Sequence, residues 1–344
     1  MPDPSLADLT TLRLGGPGER YVAAPDAATL VAAVTAADAA GDAVLLVGGG
    51  SNLVVADAGF AGTVVHLTSR GIDVDPDAGT GVGEVTVAAG EPWDDFVARA
   101  VAEGWSGIEA LSGIPGTVGA TPIQNVGAYG QEVAQTIARV RVWDRMLRGE
   151  RVFTAEECRF GYRHSRFKAD AGRHLVLDVT FRLPQDELSA PVGYAELART
   201  LGVAVGERAP LADVRTAVLG LRRGKGMVLD AADHDTWSAG SFFTNPIVDP
   251  SRVPDGAPSY PQGDGGVKTS AAWLIEHAGF CKGFGLDRPG ARVSLSTKHT
   301  LALTNRGGAS TDELLALARE VRDGVAARFG IDLVNEPVLI GCAL

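Results

Sequence analysis

The run from Ser238 to Pro246 contains residue types that could carry out proton transfer. It reads Ser-Ala-Gly-Ser-Phe-Phe-Thr-Asn-Pro, so a glycine precedes Ser241 and a proline follows Asn245. Glycine permits backbone conformations that other residues avoid, and it lets a flat ligand approach closely. No Gly-x-Ser-x-Gly elbow surrounds Ser241, which favours a proton donor over an acyl nucleophile. Taken alone, the run also fits a buried strand with a polar end.

Two glycine-rich runs come close to nucleotide-binding motifs without matching them. Residues 48–52 read Gly-Gly-Gly-Ser-Asn, but Leu53 stands where the dinucleotide fingerprint needs its third glycine. Residues 220–226 read Gly-Leu-Arg-Arg-Gly-Lys-Gly and lack both the spacing and the Ser or Thr of a P-loop. Consecutive glycine amides can still form a nest for an anion. The first run is therefore either a phosphate-binding turn or only a turn.

Residues 111–130 give the most specific cofactor signal. This stretch contains five glycines and two prolines, which predict an irregular backbone. Gln124 and Asn125 add hydrogen-bonding side chains, and Tyr129 adds an aromatic face. Such a segment can wrap a large, flat, hydrogen-bonding cofactor such as a flavin.

Composition limits the classes of function. The 344 residues exceed the size at which one hydrophobic core stops growing, so we expect two or three domains. A net charge of −11 argues against a nucleic-acid partner, but it leaves room for a small anionic substrate. Three scattered cysteines and the lack of an HExxH pair predict neither a disulfide framework nor a metal site. We find no export signal and no apolar run of membrane-spanning length, which predicts a cytoplasmic protein without a membrane partner.

The hydrophobic pattern predicts alternating strands and helices. One predicted helix begins after Asp26 and ends at Gly41. Ser310 and Glu313 form a capping box that begins another predicted helix, which ends at Gly330. Three further regions are predicted as follows: a surface loop or linker at 73–83, a weakly patterned connection at 186–210, and a final strand at 332–341.

Together these segments resemble the UDP-N-acetylenolpyruvoylglucosamine reductase (UDP-N-acetylmuramate dehydrogenase) family of bacterial cell-wall synthesis. The resemblance covers almost the whole chain, and Tyr194 favours the subclass with a tyrosine-bearing substrate loop. The motifs that carry it are Thr11–Gly16, Gly48–Asn52, Ile114–Gly119, Gln124–Gly130, Gly161–Ser165, Arg222-x-x-Lys225, Gly240–Pro246, Lys298-His299 and Asn335–Pro337.

The resemblance implies an α/β (α+β) flavoprotein with three domains. Its FAD-binding module is of the vanillyl-alcohol-oxidase/p-cresol-methylhydroxylase type and is joined to a substrate-binding domain. The implied bounds are 1–70 for the first FAD-binding subdomain, 71–207 for the second and 208–330 for the substrate-binding domain, with a strand in 331–344 returning to the first.

The reaction that the resemblance implies is reduction of UDP-N-acetylglucosamine enolpyruvate to UDP-N-acetylmuramate, a step of peptidoglycan precursor synthesis. NADPH would reduce a non-covalently bound FAD, and hydride would pass from flavin N5 to the enol-ether carbon. Arg163 and Glu336 would stabilise the resulting enolate, because developing charge needs preorganised cations and donors. Ser241 would then donate the proton. A monomer without a nucleic-acid partner is expected.

Binding residues are also implied by the resemblance. FAD contacts fall on Gly48, Gly49, Gly50, Ser51, Asn52, Ile114, Pro115, Gly116, Gly119, Ile123, Gln124, Asn125, Gly127, Ala128, Tyr129 and Arg222. Substrate contacts fall on Tyr194, Lys225, Asn245, Tyr260, Lys268 and His299. Two positions depart from the family pattern, since Thr244 replaces a lysine of many members and His299 replaces a glutamine of some.

Two other functions stay open at this point. One is a different FAD-dependent oxidase or dehydrogenase on the same scaffold, and slow reaction of the reduced flavin with oxygen would count against an oxidase. The other is a non-catalytic nucleotide-binding protein, which would bind flavin or UDP without turnover. The second alternative leaves Ser241 and Glu336 without a role.

Overall fold

The structure, a computed structural model, describes residues 3–75, 82–263 and 265–344, and it has a mixed α/β fold. The helices are α1 Leu6–Leu9, α2 Ala27–Ala40, α3 Trp93–Ala102, α4 Thr121–Gln124, α5 Arg166–Ala169, α6 Ala195–Leu201, α7 Leu211–Gly224, α8 Ala271–His277 and α9 Thr311–Phe329. Short 3₁₀ turns are Glu109–Leu111, Val118–Ala120, Val133–Gln135, His234–Thr236 and Pro250–Arg252. In these three described ranges, no helix has the length and apolar character needed to cross a membrane.

The strands pair into several small sheets and one larger sheet. They are β1 Gly18–Ala24, β2 Val44–Val47, β3 Leu53–Val55, β4 Phe60–Leu67, β5 Ile72–Asp75, β6 Val82–Ala88, β7 Gly127–Ala128, β8 Gln131–Glu132, β9 Ile137–Asp144, β10 Gly149–Thr154, β11 His174–Pro184, β12 Ile247–Val248, β13 Ser259–Pro261, β14 Val267–Thr269, β15 Val293–Leu295, β16 Leu303–Asn305 and β17 Val338–Ile340.

The chain divides into two compact units. The terminal unit comprises Met1–Glu19, Gly50–Ala61 and Gly224–Leu344, and the central unit comprises Arg20–Gly49 and Gly62–Arg223. Each unit has hydrophobic clusters of its own. The three-domain bounds 1–70, 71–207 and 208–330 stay a prediction.

The central unit is built on an antiparallel five-stranded sheet in the order β10-β9-β11-β6-β5. Helix α3 buries Trp93 and Phe96 against this sheet, where the Phe96 ring lies 5.1 Å from the ring of Phe181 in β11. The Trp93 indole also donates a hydrogen bond of 3.0 Å to the carbonyl of Leu111. The aromatic core therefore fixes the start of the loop in which FAD contacts are predicted.

A second sheet of the central unit positions the glycine-rich run at residues 48–52, here called the triglycine run. Its order is β1-β4-β2, and β2 pairs in parallel with β4. Helix α2 begins at the cap Asp26, whose carboxylate accepts the Thr29 amide at 2.7 Å, and ends at Gly41 in the left-handed conformation. The predicted helix is thus confirmed. Strand β2 ends at Val47, so residues 48–52 leave its carboxyl end.

The terminal unit is organised around α9. The predicted capping box of Ser310 and Glu313 is confirmed, and Gly330 ends the helix with a φ of 66°. The helix packs against β15, β16 and α8. Its buried hydrophobic residues, at helical spacing, are Leu314, Leu315, Leu317, Ala318, Val321 and Val325. Two smaller groupings complete the unit, the sheet β12-β14-β13 and the parallel pair of β17 with β3.

Three local expectations need correction. Residues 73–75 belong to β5 and residues 82–83 to β6, which pairs with it, so the predicted surface loop or linker is wrong at both ends; residues 76–81 lie outside the described ranges. Residues 195–201 form helix α6 within the segment predicted to be weakly patterned, because Leu197 and Ala198 are buried in a side cluster. The final strand covers only Val338–Ile340 of the predicted 332–341.

Replacing Asp144 with asparagine is expected to destabilise the chain in a pH-dependent way. The Asp144 side chain is fully buried, and hydrogen bonds from Arg173 lower the pKa of its carboxyl to about 2. The folded-state pKa lies below the unfolded one, so the ionised carboxylate stabilises the fold at neutral pH. This stabilisation disappears as the pH falls from about 4 towards 2. We expect a loss of about 2 kcal/mol in the free energy of unfolding at pH 7.

Urea denaturation of the wild type and Asp144→Asn at pH 7 and at pH 3 measures this difference, which should shrink at pH 3. Asp42→Asn is the control, since Asp42 forms an exposed ion pair with Arg20. Its effect should stay below about 0.5 kcal/mol, as is usual for surface pairs. An Asp144→Asn effect of equal size at both pH values would contradict the prediction.

Candidate active site

The predicted proton donor and one predicted enolate-stabilising residue lie on adjoining segments of the terminal unit. An antiparallel bridge joins Phe243 to Asn335. The Glu336 amide donates to the Phe242 carbonyl at 2.8 Å. Ser241 and Glu336, both partly buried, therefore flank the same backbone pairing. They are 95 positions apart in the sequence, and tertiary pairing brings their backbones together.

Part of the predicted FAD loop reaches the same place within the terminal unit. The Asn52 side-chain amide donates to the Glu336 carbonyl at 3.4 Å. The Val338 amide donates to the Asn52 carbonyl at 2.9 Å, immediately before β17 pairs with β3. One network of hydrogen bonds thus links the end of the triglycine run, the Glu336 segment and, through Phe242, the Ser241 segment.

Local backbone geometry sets the position of Ser241. Gly240 has a φ of 71°, which a residue with a side chain rarely adopts, so the glycine before the serine is required by the turn. The Gly240 amide donates to the hydroxyl of Ser238 at 3.2 Å. On the other side, the Phe242 amide donates to the Leu301 carbonyl at 2.8 Å. Ser241 is therefore fixed from both neighbours.

Arg163 of the central unit occupies a strained turn. Gly161 and His164 exchange backbone hydrogen bonds of 3.0 and 3.1 Å, and Arg163 lies between them with a φ of 50°. A left-handed conformation costs a residue with a side chain about 1 kcal/mol or more. Its guanidinium donates to the carbonyls of Asn125 and Gly127 at 3.5 and 3.3 Å. The structure therefore places this arginine beside the predicted FAD loop.

Asn125 holds that loop together. Its side chain is buried and donates to Glu132 at 2.8 Å and to the Gly161 carbonyl at 2.9 Å, and its oxygen accepts the Ala134 amide at 3.3 Å. It also ends α4 in a left-handed conformation. The side chain thus connects the FAD loop to the turn that carries Arg163, a role that the sequence did not indicate.

The two glycine loops touch each other in the central unit. A Cβ atom added at Gly49 would lie 2.7 Å from the Gly116 Cα, and one added at Gly48 would lie 2.4 Å from the Thr117 hydroxyl. Backbone and hydroxyl atoms therefore come closer than any larger residue would allow. Gly119 is equally close-packed, with an added Cβ 2.6 Å from the Cβ of Ala89. Glycine is required at these positions by close approach.

Asp94 is a positioning residue that the sequence reasoning missed. Its carboxylate accepts the Gly113 amide at 2.6 Å and two hydrogen bonds from Arg215, at 2.7 and 3.0 Å. Partial burial acts to raise the pKa of Asp94, but the bonds from Arg215 and Gly113 outweigh it and hold that pKa below its usual value. Asp94 thereby ties α3, the Gly113 loop and α7 together. Its only sequence signal is an acid in the first turn of a helix.

Arg222, Tyr129 and Tyr194 are neighbours in the central unit. Burial of the Arg222 guanidinium lowers its pKa, and the interactions with Tyr129 and Asp94 oppose that shift. The Tyr129 and Tyr194 rings meet edge to face with centroids 5.5 Å apart. Tyr194 directly precedes α6 and is 44% exposed. The structure thus joins a predicted substrate residue to two predicted FAD residues.

Three predicted substrate residues of the terminal unit gather around β14. Tyr260 in β13 pairs directly with Lys268 in β14, and the Lys268 ammonium lies 6.0 Å from the centre of the Tyr260 ring. Asn245 lies two positions before Ile247, which pairs with Lys268 on its other side. The Asn245 side-chain oxygen accepts the Ala271 amide at 2.9 Å and so helps to begin α8.

The remaining two predicted substrate residues, Lys225 and His299, lie on turns that contact Asp235. Lys225 follows α7 and precedes Gly226, where an added Cβ would lie 3.0 Å from the Asp235 carbonyl oxygen. Close to His299, the Thr297 amide donates to the buried Asp235 carboxylate at 2.8 Å. Asp235 thus bonds the turn near His299 and lies close against the turn after Lys225, and nothing in the sequence singled it out.

The remaining predicted FAD residues follow the course of the loops. Ile114, Pro115 and Gly116 are partly buried and follow the Gly113 amide held by Asp94. Ile123 and Gln124 end α4, and the Ile123 carbonyl accepts the Ser165 hydroxyl at 2.7 Å. Gly127 and Ala128 form β7. The assignment of each of these contacts to FAD stays a prediction.

Comparison with known proteins identifies the family. Residues 232–340 match the C-terminal domain of UDP-N-acetylenolpyruvoylglucosamine reductase, and residues 18–152 match an FAD binding domain. The chain is 57% identical to the UDP-N-acetylenolpyruvoylglucosamine reductase of Cutibacterium acnes, over 99% of this chain and 90% of that protein. The chain belongs to the UDP-N-acetylenolpyruvoylglucosamine reductase family. The predicted family and its α/β flavoprotein fold are confirmed.

Other members of the UDP-N-acetylenolpyruvoylglucosamine reductase family are also similar to this chain in sequence and in fold. The protein from Thermobifida fusca is 58% identical over 98% of this chain and 97% of its own length. The crystal structure of UDP-N-acetylenolpyruvylglucosamine reductase from Thermus caldophilus has a TM-score of 0.68 at 25% identity, covering 98% of this chain and 97% of that one.

The loops of the central unit fit a flavin cofactor. The triglycine run leaves the carboxyl end of a strand in a parallel pair, which is the edge where ligands bind in α/β sheets. Gly49 is exposed, so its backbone is open to a ligand, while its contact with Gly116 leaves no room for a side chain between the loops. These two loops, with Tyr129 and Arg222 beside them, are the residues that would hold FAD.

Gly49→Ala is expected to weaken FAD binding at least about tenfold, because the added methyl group must push the Gly116 backbone away and open the loops. Titration of the apoprotein with FAD, followed by flavin fluorescence, measures the effect. Gly220→Ala is the matched control, because an added Cβ there meets no described heavy atom within 4 Å apart from its chain neighbours and the nearby backbone of its own helix. Equal FAD affinity in Gly49→Ala and Gly220→Ala would refute the loop-contact argument.

Proposed function

We propose that this chain reduces UDP-N-acetylglucosamine enolpyruvate to UDP-N-acetylmuramate, with NADPH as the electron donor and FAD as the bound cofactor. The observation that carries the proposal is the hydrogen-bonded network of the terminal unit that joins the Ser241 segment, the Glu336 segment and Asn52 of the triglycine run. A general acid beside a carboxyl group and a cofactor loop suits reduction of an activated double bond. Membership of the family supports the same reaction.

Each proposed catalytic group has one task. The chemistry that bound FAD supplies is storage of a hydride between NADPH and the substrate. Addition of that hydride to the terminal vinyl carbon leaves negative charge at the neighbouring carbon and on its carboxylate. Arg163 offers a planar cation to this charge, and Glu336 is the second group proposed at the enolate. Ser241 donates its proton to the carbon, so the double bond becomes a CH–CH₃ unit.

The proposed substrate residues match the chemistry of a sugar nucleotide. Lys225 and Lys268 supply point charges for a diphosphate. The exposed ring of Tyr260 can stack on a base or a sugar, and its direct pairing with Lys268 offers an aromatic face and a cation together. Tyr194, Asn245 and His299 add hydrogen-bonding groups. Thr244 carries no charge, so these lysines must supply more of the diphosphate contact.

An anaerobic spectroscopic titration tests the proposal. NADPH should bleach the visible flavin spectrum, and the UDP-linked enolpyruvyl sugar should restore it with formation of UDP-N-acetylmuramate. A flavin that bleaches but is not reoxidised by the sugar would overturn the substrate assignment. Rapid reoxidation by oxygen instead would indicate an oxidase, and ligand binding without turnover would indicate a non-catalytic protein.

The proposal includes a cytoplasmic monomer. Cys158, Cys281 and Cys342 are all free thiols, which suits a reducing compartment. Size-exclusion chromatography with light scattering tests the monomer, and fractionation of the source cells tests the compartment.

A further inference from the structure

Thr11 makes two hydrogen bonds that connect separate parts of the terminal unit. Its amide donates to the Gly50 carbonyl at 3.3 Å, and its hydroxyl donates to the Ser238 carbonyl at 2.6 Å. Thr11 is only 5% exposed, so both bonds are shielded from water. Thr11 thus joins the triglycine run, through its backbone amide, to the start of the segment that carries Ser241, through its side-chain hydroxyl.

The segment that carries Thr11 is itself firmly held. Asn305 donates from its side chain to the carbonyls of Leu12 and Arg13, at 3.0 and 3.2 Å. A Cβ added at Gly50 would lie 1.8 Å from the Leu9 carbonyl oxygen, so the backbone of the triglycine run packs in close contact with this segment. Thr11 is therefore a fixed reference point for the residues that it contacts.

Two hydrogen bonds and the short chain segment from Ser238 to Ser241 connect Thr11 to the predicted proton donor. Thr11 holds the Ser238 carbonyl, and the Ser238 hydroxyl accepts the Gly240 amide at 3.2 Å. Among the described residues, no atom other than the chain neighbours lies within 4 Å of a Cβ built on Gly240. Gly240 itself is therefore held by its hydrogen bond to Ser238, while the flanking Ala239 and Phe242 are buried in the core of the terminal unit.

We propose that Thr11 is a positioning residue for proton donation by Ser241. Its hydroxyl fixes the Ser238 carbonyl and hence the turn that presents Ser241. Its backbone amide fixes the segment of Thr11 itself to Gly50. This inference rests on the proposed function of Ser241. A misplacement of about 1 Å can lower the rate of an oriented reaction by up to a hundredfold, so loss of one anchoring bond should slow the proton transfer without removing the acid.

Three variants isolate the Thr11 hydroxyl. Thr11→Val removes the hydroxyl and keeps the shape, and Thr11→Ser restores a hydroxyl. Thr311→Val is the matched control, because the Thr311 hydroxyl also donates to a backbone carbonyl at 2.6 Å, that of Val55, and Thr311 is 1% exposed. Both valine variants therefore lose a buried bond of the same kind in the same unit.

Two readouts test the proposal. Hydrogen exchange of the full-length chain, read by mass spectrometry, should be faster for residues 240–243 in Thr11→Val than in Thr311→Val. In the FAD-loaded enzyme, reduction of the sugar nucleotide should slow about tenfold in Thr11→Val, with a larger solvent deuterium isotope effect, while flavin reduction by NADPH keeps its rate. Thr11→Ser should recover both properties.

The proposal is overturned if exchange at residues 240–243 is the same in Thr11→Val and the wild type. It is also overturned if Thr311→Val slows sugar reduction and raises the isotope effect as much as Thr11→Val does, since the role would then be general stability. A wild-type enzyme that does not reduce the sugar nucleotide would instead overturn the proposed function, and the exchange measurement would still decide whether Thr11 fixes the turn.

Discussion

Ser241→Ala is expected to slow reduction of the UDP-linked enolpyruvyl sugar by about a thousandfold, because a positioned general acid contributes about 10²–10⁴ to a rate. The substitution removes the hydroxyl and leaves Gly240 and Phe242, which fix the turn, in place. Flavin reduction by NADPH needs no proton from this residue and should keep its rate. Stopped-flow absorbance separates the two half-reactions.

Ser251→Ala is the matched control for this experiment. Ser251 is an exposed serine of the same unit whose hydroxyl donates to the Asp249 carboxylate. Its substitution should change neither half-reaction. If Ser241→Ala reduced the sugar at the wild-type rate, another residue would have to be the proton donor. If it also slowed flavin reduction equally, its role would be structural.

Arg163→Lys is expected to slow the same half-reaction by about a hundredfold, because removal of one preorganised group at a developing negative charge costs about 10²–10³. Lysine keeps a positive charge but loses the planar pair of donors. The Asn125 and Gly127 carbonyls that orient the guanidinium would then hold a shorter, more mobile side chain. Binding of the product, measured by perturbation of the flavin spectrum, should change less than the rate does.

Arg159→Lys controls for backbone strain. Arg159 is exposed and has a φ of 51°, almost the same as the 50° of Arg163. Both substitutions therefore place lysine in an equally strained turn, and only one of them alters the proposed site. A similar rate loss in both variants would attribute the effect to the turn and not to the enolate.

Much of the local structure was predictable because it depends on residues close in sequence. Helix α2 begins after Asp26 and ends at Gly41. Helix α9 begins at the capping box of Ser310 and Glu313 and ends at Gly330, as capping chemistry requires. The glycine before Ser241 adopts the positive φ that only glycine adopts easily. The motifs also indicated the family, which the comparisons confirm.

The residues that support the site were not predictable, because their roles depend on partners far away in sequence. Asp94 bonds Gly113 and Arg215, and Asp235 bonds Thr297, yet each acid is ordinary in its local sequence. Helix α6 was missed for a related reason. Only seven residues long, it is stabilised by burial of Leu197 in a side cluster, which outweighs a weak local pattern.

The sequence by itself determined which residue types are available for chemistry: a serine after a glycine, an arginine in the Gly161–Ser165 motif, a glutamate before a proline and two glycine-rich loops. Tertiary structure alone decided which of them meet. Glu336 reaches the Ser241 segment through backbone pairing across 95 positions, and Thr11 reaches Ser238 across 227. The physical reason is that local propensities act over a few residues, whereas hydrogen bonds between distant segments form only when the cores that carry those segments are packed.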